Sequence, residues 1–286
     1  MANVALSSKA VGSTIKLKVD GTAREFIIVH QGRPSTLYDA SCDGTWLLLK
    51  ECLEQKRWHS GNSNSYKASE IHTYLNGTWL NKLDANIRAQ VKKVKLPYVN
   101  GTANAAVASG ANGLEASIFL LSGYEVGFTQ SVNQYFPIDG AKLSYFNSGN
   151  DSAAQQKRIA NYNGSATHWW LRSPNTGNVA SAWNVLASGS YLNLSCASSY
   201  GVRPALILPS SLLVSDDGSV TTNTAPTTPS SISVPGSIQG GSTITVSWGA
   251  STDSTSTAVA AKPPSSSRPQ EVTGFFPAAK MSFSCG

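Results

Sequence analysis

His168-Trp169-Trp170-Leu171-Arg172-Ser173-Pro174 and Gly201-Val202-Arg203-Pro204-Ala205-Leu206 decide how this chain is read. Both words are aromatic or apolar, and each carries one arginine. The stretch between them is the opposite: Asn175, Asn178, Ser181, Trp183, Asn184, Ser188, Ser190, Tyr191, Asn193, Ser195, Ser198, Ser199 and Tyr200, interrupted by Gly177 and Gly189. Tyr supplies contact area with few rotors, and Ser and Asn supply adaptable hydrogen bonds, which is the composition recognition loops favour. A stiff frame around a polar, aromatic segment with almost no charge presents side chains to a partner. The residues expected to contact a ligand are Asn175, Asn178, Trp183, Asn184, Ser188, Ser190, Tyr191, Asn193, Ser195 and Tyr200. The display requires Trp183, Asn184, Tyr191 and Asn193 to share one exposed face. Trp183, Tyr191 and Tyr200 have a second reading, as core side chains; exposed, they would stack on sugar rings or fill a partner's pocket. Arg172 and Arg203, each inside an apolar word, are expected to be buried and paired, holding the last strands together.

The same two words resemble a domain family of unassigned function that is widespread in Firmicutes and their phages. That family is similar to the formylglycine-generating-enzyme branch of the C-type lectin fold. Further matching words are Glu25–Gly32, Tyr38-Asp39, Trp46–Lys50, Tyr74-Leu75-Asn76, Lys95–Tyr98 and Ile118–Ser122, so the resemblance runs over about residues 10–209. It implies a C-type-lectin-like α+β fold with short helices and a small antiparallel sheet. In relatives of that fold, the stretch before a terminal Gly-x-Arg strand can be a diversified ligand-binding surface. Catalytic members use a cysteine or copper-thiolate site near the C-terminal strands; Cys196 is the one cysteine there and lacks its partner.

Composition agrees with a binding protein. Charged residues make up 13% of the 286, about half the usual share, and Ser, Thr, Asn and Gly fill the deficit. That balance suits virion or cell-surface proteins rich in β structure. The net charge of +6 comes partly from Lys92-Lys93-Val94-Lys95, read as a solvated face; no arginine-rich stripe or nucleic-acid motif accompanies it. Cys42, Cys52, Cys196 and Cys285 form no C-x-x-C and have no His at metal-ligand spacing, so buried free thiols are expected, with a Cys42–Cys52 pair the alternative in an oxidising compartment. His30, His59, His72 and His168 are scattered, and Asp216-Asp217-Gly218 lacks the later carboxylates of a calcium loop. Neither a catalytic constellation nor a metal or other cofactor is expected. Met1–Val11 lacks a basic stretch followed by an apolar run, and no apolar stretch is long enough to span a membrane. The expected location is therefore a phage particle, with the bacterial cell surface as alternative. The expected partners are a host-surface glycan or protein and other virion proteins, in several copies. A decoration, fibre or baseplate component without its own receptor is the second functional reading.

Along the chain, Ile15, Leu17 and Val19 alternate with Thr14, Lys16 and Lys18, and Asp20-Gly21 is a hairpin signal before the strand Glu25–His30. Trp46–Lys50 and Ile118–Leu121 read as buried strands. Ser69 reads as an N-cap for a helix over 69–76 that Gly77 breaks, followed by two short helices over Trp79–Leu83 and Asp84–Gln90. Asp151 is the expected cap of a helix over Ser152–Ala160, with Gln155, Gln156, Lys157 and Arg158 facing solvent. The expected organisation is a domain over 1–210 and a linker over 211–230. A truncated fibronectin type III-like start follows over 231–253, where Ser231–Val234 and Thr243–Trp248 resemble strands A and B. The tail 254–286 is expected to be disordered, after a change of reading frame near Ser254.

Overall fold

Asp20 and Gly21 both have positive φ, 49° and 73°, the backbone that a two-residue hairpin demands. They join Thr14–Val19 to Thr22–Gln31, whose register is antiparallel from Thr14↔Ile27 to Val19↔Thr22. Ile15, Leu17 and Val19 are buried and Thr14, Lys16 and Lys18 exposed, as the alternation predicts. The computed structural model describes residues 4–61, 63–101, 106–147, 151–215, 220–221, 232–233, 243–248 and 280–284.

Two five-stranded sheets organise the larger unit. The first has the order Thr14–Val19, Thr22–Gln31, Thr45–Leu49, Ala205–Leu208, Ile118–Phe119. Thr45–Leu49 and Ala205–Leu208 are buried at every position, which explains their unbroken apolar runs. The second sheet has the order Tyr191–Ser195, Ser181–Val185, Trp169–Pro174, Ser199–Gly201, Gln55–Arg57. Its pairings are antiparallel except Trp169↔Gly201, which is parallel. The central strand Trp169–Pro174 is buried throughout, with Trp170 in one hydrophobic cluster and Trp169 in the other. Short helices surround these sheets, so the architecture is α+β.

Three details correct the sequence expectations. Gly77 does not end its helix. Ser69 caps an α-helix over Glu70–Tyr74, accepting from the His72 N–H, and the coil then widens to a π turn over Leu75–Trp79. Glycine costs about 1 kcal/mol in a helix. Here burial of Leu75 and Trp79 offsets it, together with Asn76, which donates to Ile118 O and accepts from Ser117 N and Ile118 N. The domain also does not close at Pro209: Leu213–Val214 pairs with Val4–Ala5, and Leu212 and Val214 are buried. So the start of the segment expected to be a linker is part of the core. Cys42, Cys52 and Cys196 are the buried free thiols expected, not the alternative Cys42–Cys52 pair; Cys285 lies outside the described residues.

The last correction lies in the C-terminal unit. The chain separates by its internal contacts into 1–220 and 221–286. In the second unit Ile232–Ser233 and Thr243–Trp248 pair antiparallel, and Lys280–Ser284 adds a third strand with Ile244↔Phe283 and Val246↔Met281 in register. Those five residues were expected within a disordered tail; their alternation, Met281 and Phe283 between Lys280, Ser282 and Ser284, is a strand period. The expected frame change near Ser254 lies outside the described residues.

Candidate recognition surface

Arg172 and Glu125 are both fully buried and form a two-pronged ion pair, Nη1–Oε2 2.5 Å and Nη2–Oε1 2.6 Å. The guanidinium also donates to the backbone oxygens of Pro97, Leu120 and Asp139. Tyr38 OH donates to Glu125 Oε1 at 2.8 Å and accepts from Ala141 N. Ser173 Oγ donates to the Asp139 carboxyl and accepts from Gly123 N. A charge without water needs this density of partners. Asp139 remains in excess: burial pushes its carboxyl up to about 7, with Glu125 adding to the rise while Arg172 and Ser173 oppose it.

Arg203 departs from the expected pairing. Among the described residues it pairs with no carboxylate; it donates to the carbonyls of Leu49, Lys50 and Arg158 and lies 4.9 Å over the Trp169 ring. Burial lowers its pKa to about 10. Arg158, expected on the solvent side of its helix Asp151–Arg158, is buried. It donates to Gly189 O and Val126 O and lies 4.2 Å over the Phe128 ring. It thereby ties the tip of the display hairpin to the core.

The structure divides the ten expected contact residues. Trp183 is 1% exposed: its ring stacks on Phe136 at 4.0 Å and its Nε1 donates to Tyr135 O. Asn184, on the opposite face of the strand between Trp170 and Leu192, is also buried. Asn175 is buried and turns the chain by accepting from Gly177 N. These three are not display residues. The reason is local: Ser181–Val185 is an inner strand of the sheet, covered on both faces. Asn178, Ser188 and Ser195 are exposed, and Ser190, Tyr191, Asn193 and Tyr200 are half-buried. Tyr191 OH donates to Val132 O, and Tyr200 packs against His168 and Trp170.

What covers Trp183 is a second segment that the sequence pattern does not mark, Val126–Ile138. Tyr135 O also accepts from Thr176 N and Thr176 Oγ1. The Tyr135 ring lies where a Cβ on Gly177 would stand, 2.6 Å away, so this glycine serves packing, not a turn; Gly189, at φ +80°, serves the turn. Between Glu125 and Asp139 there is no charged residue, and none between Arg172 and Arg203. Glu125, Asp139, Arg172 and Arg203 are themselves buried. Two segments with their bounding charges drawn inward thus meet in one surface to which neither contributes a charge; the exposed Lys142 lies at its edge, against Gly127. Of the exposed large hydrophobics among the described residues, Val132, Tyr135, Ile138, Val179 and Leu192 all lie on these segments, and Val11 alone lies elsewhere. The usable signal in the sequence was this lack of charge, which both segments share.

Among the described residues no group of three or more His, Cys, Asp or Glu side chains could hold a metal ion. Burial pushes the thiols of Cys52 and Cys196 up to about 12 and that of Cys42 up to about 11, so they stay protonated at neutral pH and are weak nucleophiles. Among the described residues no helix is long and apolar enough to cross a membrane.

A protein-family profile described as "Domain of unknown function (DUF6273)" matches residues 43–210. No curated protein and no solved structure matches the chain.

Proposed function

The chain belongs to the DUF6273 family, and from its uncharged surface we propose that it is a non-enzymatic recognition protein of a phage particle or bacterial surface, with a C-type-lectin-like fold. The observation that carries this is the meeting of Val126–Ile138 with the 175–200 hairpin while every bounding charge is buried. The ligand is a host-surface glycan without net charge. Tyr135 and Tyr191 offer rings to sugar faces, and Asn178, Asn193, Ser188 and Ser195 offer amides and hydroxyls to sugar hydroxyls. Modest affinity per site would be raised by several copies on one particle. Residues 231–253 are read as the truncated start of a fibronectin type III-like domain.

The test is adsorption of the purified protein to Firmicute cells. Periodate treatment of the cells, which cleaves vicinal diols, should abolish adsorption, and protease treatment should not. Raised salt should leave it unchanged, because no charged pair is screened. Loss on protease treatment alone, or a steep fall with salt, would refute a neutral glycan. A second reading, a virion assembly component, draws on the exposed Val132, Ile138 and Val179, since apolar patches mark protein interfaces. Adsorption to no cell type, with binding to another virion protein, would favour it.

A further inference from the structure

Sheet edges are templates for another strand, and proteins guard them with lysine, brevity, proline or bulges. The two five-stranded sheets have four edges. Thr14–Val19 carries the exposed Lys16 and Lys18, Gln55–Arg57 carries Lys56 and Arg57, and Ile118–Phe119 is two residues long. Tyr191-Leu192-Asn193-Leu194-Ser195 has none of these guards: five residues in unbroken register, with no charge and no proline.

The hairpin ladder shows which backbone groups this strand leaves outward. Leu186 N donates to Ser190 O at one end and Cys196 N to Ala180 O at the other. Antiparallel pairs alternate between bonded and non-bonded. Leu192 and Leu194 therefore bond inward, and the N–H and C=O of Tyr191 and Asn193 and the N–H of Ser195 point away from the sheet. Ser195 O is engaged by Ser198 N. Among the described residues no backbone hydrogen bond reaches these outward groups.

We infer that this edge pairs with the same edge of a second copy, joining two sheets into one about a two-fold axis at Asn193. Antiparallel register about that axis sets Asn193 opposite itself, exchanging two N–H···O bonds. It sets Ser195 N–H against Tyr191 C=O twice, and Leu192 against Leu194 twice. The leucines meet on one face, where Leu192 is otherwise 45% exposed. Register selects the copy as occupant, because each outward carbonyl of one strand meets an outward N–H of the other, and charge does not oppose it. In a chain of net charge +6 a basic edge would repel itself, whereas this one has nothing to repel. Pairing through the edge covers neither face of the sheet further, so two recognition surfaces would lie side by side.

Sedimentation equilibrium of the full chain at micromolar to tens of micromolar concentration tests this. The wild type should be a dimer. Asn193→Pro removes an outward N–H that no intrachain bond uses, which an edge strand tolerates. It should weaken dimerisation by at least about tenfold while leaving the circular dichroism spectrum intact. Leu192→Lys should do the same and serves if the proline variant does not fold. A monomeric wild type, or a dimer that both folded variants retain, overturns the inference. Glycan adsorption by such a monomer would show that the recognition surface stands without it.

Discussion

Trp183 is where residue chemistry and position part company. Between Ala182 and Asn184, in a segment rich in Ser and Asn, an indole has the composition of an exposed anchor. Its strand is internal, however, and Phe136, far away in sequence, covers it. Trp183→Ala should cost about 3–5 kcal/mol of stability, the usual loss for a buried aromatic. A denaturant titration would measure it, and a loss below about 1 kcal/mol would return the side chain to the surface. The second residue of consequence is Asp139, whose pKa of about 7 lies above the ordinary carboxyl range of an unfolded chain. The folded state then holds a proton that the unfolded state has released, so stability falls as pH rises between about 4 and about 7, by at most about 1.4 kcal/mol per unit. Above about 7 this contribution is flat. Asp139→Asn should remove that part of the slope in melts run from pH 4 to 8; an unchanged slope would place the titration elsewhere. Glu70 works in the opposite sense: hydrogen bonds from Ser60 and Arg57 lower its pKa to about 2, so its contribution is present above about 4.5 and lost as pH falls toward 2.

At the scale of elements, period-2 alternation and Asp20-Gly21 made the first hairpin legible, and the apolar runs marked Thr45–Leu49 and Ala205–Leu208. The Ser69 cap was legible because its hydroxyl acts within one turn. The Val126–Ile138 cover was not, because its Asn, Gln, Val and Tyr follow no period and the bonds that seat it on the hairpin, from Tyr191 to Val132 O and from Trp183 and Thr176 to Tyr135 O, come from residues distant in sequence. The role of Arg158 was hidden for the same reason: on a short polar helix only the tertiary contact with Gly189 O distinguishes it from its neighbours. That contact makes the hairpin tip sensitive. Gly189 has φ +80°, and a Cβ there would collide with the Gln155 carbonyl. Gly189→Ala should therefore cost at least about 1 kcal/mol in a thermal or denaturant melt. A neutral effect would mean the tip is not held against the helix.

At the scale of the whole molecule, the ends of the larger unit meet: Val4–Ala5 pairs with Leu213–Val214. Composition placed the boundary too early because Ser210, Ser211 and the Asp216-Asp217-Gly218 that follows dominate the short apolar run Leu212–Val214. A chain ending at residue 215 should melt close to the 1–220 unit. One ending at 210 should melt several degrees lower, since it loses the burial of Leu212 and Val214 and the strand pairing. Equal midpoints would show that this closure contributes nothing.

The neutral surface is the central claim, and one variant tests it most directly. Tyr135 is 44% exposed and Asn193 half-buried, and neither side chain forms an ion pair or belongs to the buried network. In Tyr135→Ala/Asn193→Ala, the Tyr135 carbonyl that holds Trp183 and Thr176 is preserved. The variant should melt within a few degrees of the wild type, because exposed side chains contribute little to stability. Its adsorption to the same cells should weaken by about 2 kcal/mol or more, the loss expected for a true hot spot. A variant that folds as the wild type does and adsorbs equally well would contradict recognition through this surface.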